Sequence, residues 1–176
     1  MQRSACCVWA ALLLLLGLST AAGAEESSWV GTFVTDESDA GIQQAIEAAI
    51  ADMSFLTRSV ARGRLKKTNP LYRRITITRQ VVMISVRFDE RRPVEMPADG
   101  SVIKWTSEDG ERYDLSDRAE DGRLVQTFKA EDGQRVNSFS AGDPQRLTLE
   151  VQIASPRLPK PLTYTVRYRR DAASAR

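Results

Sequence analysis

The 176-residue chain carries 25 basic and 23 acidic side chains, two cysteines and no histidine. That length fits one ordinary domain with a real core, and the near-neutral balance weighs against a dedicated nucleic-acid binder. Without histidine, the commonest proton shuttle and a principal metal ligand are missing.

Residues 1–24 read as a cleavable export signal. Arg3 forms a short basic start, an apolar run extends from about Val8 to Leu18, and Ala22-Gly23-Ala24 is a small-residue cleavage site. The run is shorter than the ~20 apolar residues that a membrane span needs. Cys6 and Cys7 precede it, whereas a lipid-anchored cysteine would follow it. Cleavage near Ala24 leaves residues 25–176 as a single domain with no cysteine, and removing Arg3 leaves 24 basic against 23 acidic side chains. That domain cannot form disulfides. It also lacks an N-x-S/T acceptor, since Pro70 follows Asn69 and Phe139 follows Asn137-Ser138. Both features favour a periplasmic over a eukaryotic extracellular setting, and the expected location is periplasmic or secreted.

The mature chain opens with Trp29 to Val34, a short strand of aromatic and β-branched residues. A helical insert is expected over 39–68. Ile42, Ala45, Ile46, Ala49, Ile50 and Met53 recur at three and four, with Asp39 as the cap. Ser54 caps a second helix with Leu56, Val60, Ala61 and Leu65 on its apolar side, and Asn69-Pro70 ends it.

The period then changes to two. Ile75 and Ile77 mark one strand, and Val82, Ile84, Val86 and Phe88 the next. Asp-Gly pairs follow at 99–100, 109–110, 121–122 and 132–133, a composition that favours tight hairpins with positive φ. Between and after them lie strands over 102–106, 112–115, 124–129, 135–140, 147–153 and 162–169. Nine strands in up-and-down order are expected. Closure into an antiparallel barrel of about eight to ten strands removes the open edges, which favours a barrel over an open sandwich.

Trp29-Val30-Gly31-Thr32-Phe33, Gly122-Arg123-Leu124-Val125-Gln126 followed by Asp132-Gly133, and the aromatic and basic strand Tyr164 to Arg169 resemble the fatty-acid-binding and lipocalin-like barrels of the calycin superfamily. One strand, a helix–turn–helix and a meander is their chain order. The resemblance implies a cavity under a two-helix lid and a lipophilic ligand. It also implies that Trp29 and Phe33 plug the closed end, with Arg167 or Arg169 stacking there. Many members hold a ligand carboxylate with an Arg-x-Tyr pair on the last strand. Here Tyr168 matches the tyrosine, but Val166 stands where the arginine would be.

The expected activity is therefore non-catalytic binding of a lipophilic small molecule, without cofactor or metal. The alternative is a filled barrel acting as a protein-interaction or structural module of the cell envelope. Trp105, Tyr113, Phe128, Phe139, Tyr164 and Tyr168 alternate onto the inner face, and with the Gln126 amide they are the candidate cavity lining. Glu-Asp-Gly triplets at 108–110, 120–122 and 131–133 lack the ligand spacing of a calcium loop and read as solvated turns. Arg58, Arg62 and Lys66 make the second helix basic, and are candidates for transient contact with an anionic membrane surface.

Overall fold

In the computed structural model the structure describes residues 28–120 and 122–175. The export signal and its cleavage site lie outside these residues, as does Asp121. The elements are β1 (Gly31–Val34), α1 (Ala40–Ile50), α2 (Phe55–Thr68), β2 (Arg74–Arg79), β3 (Met83–Phe88), β4 (Val94–Pro97), β5 (Ile103–Thr106), β6 (Arg112–Glu120), β7 (Arg123–Ala130), β8 (Gly133–Asp143), β9 (Arg146–Ala154) and β10 (Leu162–Arg170). Together the strands form one ten-stranded antiparallel sheet in the order β4-β3-β2-β1-β10-β9-β8-β7-β6-β5. β1 joins β2 to β10 and so nearly closes the barrel; the one seam without ladder pairing is between β4 and β5, where β4 packs on β6.

Alternation builds the wall. On β10, Leu162, Tyr164, Val166 and Tyr168 are buried while Thr163, Thr165, Arg167 and Arg169 face outward. Ile75 and Ile77 on β2, Ile84 and Val86 on β3, and Leu147, Leu149 and Val151 on β9 bury the same way. α1 lays Ile42, Ile46, Ala49 and Ile50 against β10. Asp39 precedes α1, but its carboxylate accepts from the Gln43 side chain instead of capping a backbone amide. Ser54 does cap α2, accepting from the Thr57 amide.

Four expectations about strands and turns need correction. The meander has ten strands, because Val94–Pro97 is a short strand with Val94 and Met96 buried. Flanking Pro93 and Pro97 disguise it, since proline lacks a ladder donor. Consequently Asp99-Gly100 does not close a hairpin but carries the chain between the unpaired β4 and β5. Val82 is 68% exposed, for β3 starts at Met83 and the Gln80 amide closes the turn onto the Met83 carbonyl. Gly133 is not a positive-φ turn residue, unlike Gly100, Gly110 and Gly122. Ala130 pairs with Gly133, so Glu131 and Asp132 form the turn; a Cβ on Gly133 would lie 2.7 Å from the Ala154 carbonyl oxygen.

Trp29 and Phe33 are buried, Trp29 just before β1 and Phe33 opposite Arg170 at the end of β10. The arginines stacked on them are Arg79, 5.8 Å from the Trp29 ring, and Arg170, 4.7 Å from that of Phe33. Arg167 and Arg169 instead face Glu37 and Asp36 outside the barrel. Strand parity explains the exchange: Arg170 shares the inner face of β10 with Tyr168.

Candidate functional site: a cavity beneath the second helix

A cavity of about 1040 Å³ opens between α2 and the mouth of the barrel. Its roof is Leu56, Val60, Ala61 and Leu65, the face of α2 expected to be apolar. Only its C-terminal half, Ala61 and Leu65, packs on the core. No residue of α2 is fully buried, and Leu56 and Val60 are 78% and 75% exposed. The helix spans the opening like a beam, tied to the α1–α2 turn by Arg58, which donates to the carbonyls of Ala51 and Met53 at 2.5 and 2.7 Å.

Three of the seven candidate lining residues meet in the wall. Trp105 of β5, Tyr113 of β6 and Phe128 of β7 line the cavity as a mutually packed triplet, with centroids 5.4 Å apart for Trp105–Phe128 and 5.9 Å for Tyr113–Phe128. Register places them together: Trp105 pairs with Tyr113, and Phe128 lies opposite Leu115, the next inward residue of β6. The Tyr113 hydroxyl donates to Glu111 at 2.5 Å, and burial, followed by that carboxylate, pushes its pKa well up.

The other four candidates lie in the packed interior and not among the residues lining the cavity. Gln126 is fully buried; its amide donates to Met96 Sδ at 3.2 Å and its oxygen accepts from Asn137 Nδ2 at 2.9 Å. Phe139 is fully buried with its ring 6.2 Å from that of Phe88. The Tyr164 hydroxyl donates to Asn69 Oδ1 at 3.2 Å, and that of Tyr168 to the Tyr72 carbonyl at 3.0 Å. Burial is the main cause holding both tyrosines above their usual pKa.

The polar focus of the cavity is Arg135 on β8, which is not among the residues expected to line it. It lines the cavity with Asn137. Its Nε donates to Asn137 Oδ1 at 2.9 Å, Nη1 to Asn69 Oδ1 at 3.0 Å and to the Thr68 carbonyl at 3.4 Å, and Nη2 to the Tyr164 hydroxyl oxygen at 3.4 Å. All four acceptors are neutral. A signal was available, because period two places Arg135 and Asn137 on the same face as Phe139.

The basic residues of α2 are unequally free. Arg62 makes a two-pronged pair with Glu47 at 2.6 and 2.7 Å, and Arg58 is spent on the turn carbonyls. Lys66 is exposed. Among the described residues, no three Asp, Glu, His or Cys side chains converge to hold a metal ion.

No protein-family model matches the chain, and no curated protein matches it. Solved structures do. Fatty-acid-binding protein 1 of Echinococcus granulosus is 14% identical with a TM-score of 0.54, over 82% of this chain and 98% of that one. The Schistosoma mansoni fatty acid binding protein in complex with arachidonic acid is 15% identical with a TM-score of 0.52, over 83% and 98%. Secretory abundant heat soluble protein 4 from Ramazzottius varieornatus is 12% identical with a TM-score of 0.52, over 82% and 96%. The likeness is one of fold: a mainly-β, calycin-type barrel with two helices after its first strand.

Proposed function

We propose that this chain is an exported protein that binds a small lipophilic molecule reversibly, without turnover, in the cavity beneath α2. The observation that carries this reading is the cavity itself: about 1040 Å³, walled by Trp105, Tyr113 and Phe128 and roofed by Leu56 and Val60. Ligand pockets are largely apolar with a few placed polar groups, and Arg135 with Asn137 supplies them here. Gln126, Phe139, Tyr164 and Tyr168 belong to the packed interior and do not line the cavity. The same fold carries arachidonic acid in the Schistosoma mansoni protein, which supports a lipophilic occupant. Export rests on residues 1–24, and a protein of this fold whose name marks it as secretory is compatible with it.

Fluorescence titration tests the reading. Trp105 lies in the cavity wall, so an entering lipophile changes its emission. Phe128→Glu places a charge in that wall and abolishes the response; an unaltered titration with Phe128→Glu refutes cavity binding.

A second surface reading concerns how such a ligand enters. Phe55 is 84% exposed and lies outside the cavity lining, and Lys66 and Lys67 follow on the same helix. This combination fits transient contact with an anionic bilayer, with Phe55 in the role first expected of Arg58 and Arg62. Phe55→Ser with Lys66→Glu weakens cosedimentation with anionic vesicles if α2 makes that contact, and leaves it unchanged if it does not.

A further inference from the structure

We infer that Asp117 is a proton-operated latch on the β4–β5 seam: its neutral carboxyl keeps the connection between these strands seated against β6, and its carboxylate unseats the connection and slackens the cavity wall. The latch stands apart from ligand binding; its effect on the cavity rests on the lipophile-binding reading above.

The seam is the one break in the ladder. β4 and β5 are the two ends of the sheet, and β4 packs on β6 without pairing to β5. The chain crosses between them through residues 98–102, which are lightly anchored. The Ala98 amide donates to the Val82 carbonyl at 2.9 Å, that of Gly100 to the Pro97 carbonyl at 3.2 Å, and that of Ser101 to the Asp99 carboxylate at 2.9 Å. The last two bonds are local turns, and Val102 is 63% exposed. Gly100, at φ +77°, brings the connection against β6: a Cβ there would lie 3.0 Å from the Asp117 carbonyl oxygen. Close contact, and not a ladder, seats the connection.

Asp117 stands at that contact. It is 5% exposed and shares the inner face of β6 with Leu115. Both its carboxylate oxygens are buried without a hydrogen-bond partner. Opposite it on β7 is Gln126, which donates to Met96 Sδ of β4 and accepts from Asn137. Gln126 and Met96 carry no charge. The charged groups that act on Asp117 are Asp99 from the connection and Arg79 from β2. The Ser101 amide holds the Asp99 pKa below its usual value, so Asp99 is the ionised carboxylate of the two. Arg79 offsets part of the repulsion, with its guanidinium 5.8 Å over the Trp29 ring.

Protonation decides how these neighbours fit. A neutral carboxyl has an O–H to give, and the side-chain oxygen of Gln126 can accept a second bond. An ionised one is acceptor-only, desolvated and of the same sign as Asp99. A buried charge of that kind is relieved by reaching water, and the connection is the least anchored cover above it. Burial is the largest cause raising the Asp117 pKa above 3.8. The seated state is therefore favoured most below 3.8, and that preference is lost as pH climbs through the higher folded value. The cavity responds because both strands run into it. Pro93 and Val94 at the start of β4 and Trp105 and Thr106 at the end of β5 line it, whereas Asp117 and the connection do not.

The test reads backbone hydrogen exchange over residues 98–106 of the ligand-free mature chain at about pH 4 and about pH 8, corrected for intrinsic rates, with residues 133–154 as reference. Protection over 98–106 falls with rising pH by at least about threefold relative to the reference. Asp117→Asn, neutral throughout, removes the dependence. Asp99→Asn moves it to lower pH, an effect that loss of packing does not produce. Dodecan-1-ol has no titrating group; read by tryptophan fluorescence, it binds wild type more tightly in acid and Asp117→Asn equally at both pH values. Exchange over 98–106 that follows the reference at both pH values overturns the latch. A responsive seam with pH-independent dodecanol affinity overturns its coupling to the cavity. No dodecanol binding at either pH overturns the lipophile reading and leaves the latch to the exchange result. Should Asp117→Asn not fold, wild type and Asp99→Asn still decide.

Discussion

Asn137 donates its side-chain amide to the side-chain oxygen Oε1 of Gln126 at 2.9 Å, linking the inner faces of β8 and β7 inside the barrel. Both residues are buried, at 2% and 0% exposure. A polar pair in such a place is stabilising only while complete, since an orphaned buried donor retains its desolvation cost. Gln126→Leu strands the Asn137 amide and is expected to cost about 1–3 kcal/mol in urea unfolding. Adding Asn137→Leu also orphans Arg135 Nε, which donates to Asn137 Oδ1, so the double variant is less stable than Gln126→Leu. A Gln126→Leu chain as stable as wild type would falsify the account.

The helical insert is more than a lid ornament. Ile46 is fully buried where α1 meets β10, so Ile46→Asp combines a lost apolar contact with a buried charge. The expected cost is more than about 3 kcal/mol. Wild-type thermal stability in this variant means that α1 does not pack on the barrel.

Asp117 introduces a pH dependence. Both its carboxylate oxygens are buried without a hydrogen-bond partner, on β6 beside the β4–β5 connection. Burial raises its pKa above 3.8, Asp99 raises it further, and Arg79 partly offsets this. A carboxyl group with a raised folded-state pKa holds its proton better in the folded chain. Its contribution is therefore most favourable below the unfolded value of 3.8 and is lost as pH climbs through the higher folded value. Asp117→Asn, which mimics the protonated form, should match wild-type melting in acid and exceed it increasingly toward neutrality. A difference in Tm that is constant with pH contradicts this account.

Gly133 separates two ways in which a glycine can be required. Its backbone tolerates a side chain, but the Ala154 carbonyl oxygen occupies the space 2.7 Å from where a Cβ would be. Gly133→Ala therefore strains the β8–β9 edge at the barrel mouth by about 1–3 kcal/mol. At Gly110, φ is +85° with nothing nearby, and alanine there carries only the left-handed backbone penalty of about 1–2 kcal/mol. Hydrogen exchange discriminates the two: Gly133→Ala loosens the end of β9, and Gly110→Ala only its own loop. Loosening confined to the β7–β8 turn in Gly133→Ala would mean that the close approach is not what matters.

Much of this fold is legible because β-strand side chains alternate strictly. The set Leu162, Tyr164, Val166, Tyr168 and the set Ile42, Ile46, Ala49, Ile50 each declare their element and their buried face. β4 escapes because Pro93 and Pro97 bracket only two inward residues, too few for a period to emerge. Leu56 and Val60 mislead for the opposite reason: the pattern identifies an apolar face but not whether that face meets core or cavity. Arg135 and Arg170 are the instructive cases. Parity places both on inner faces, yet charge makes them look like surface residues, and only the surrounding neutral acceptors and the Phe33 ring reveal why they are tolerated. Strand alternation marks the aromatic triplet of the site, whereas its polar focus exists only where β8, β10 and the end of α2 meet.

Native mass spectrometry of the protein purified from its own source tests the central claim most directly. The account predicts one lipophilic molecule per chain, released on activation as a discrete mass and missing from a Phe128→Glu variant prepared in the same way. A wild-type chain that appears only as bare polypeptide, and takes up nothing from a total lipid extract of that source, would contradict it.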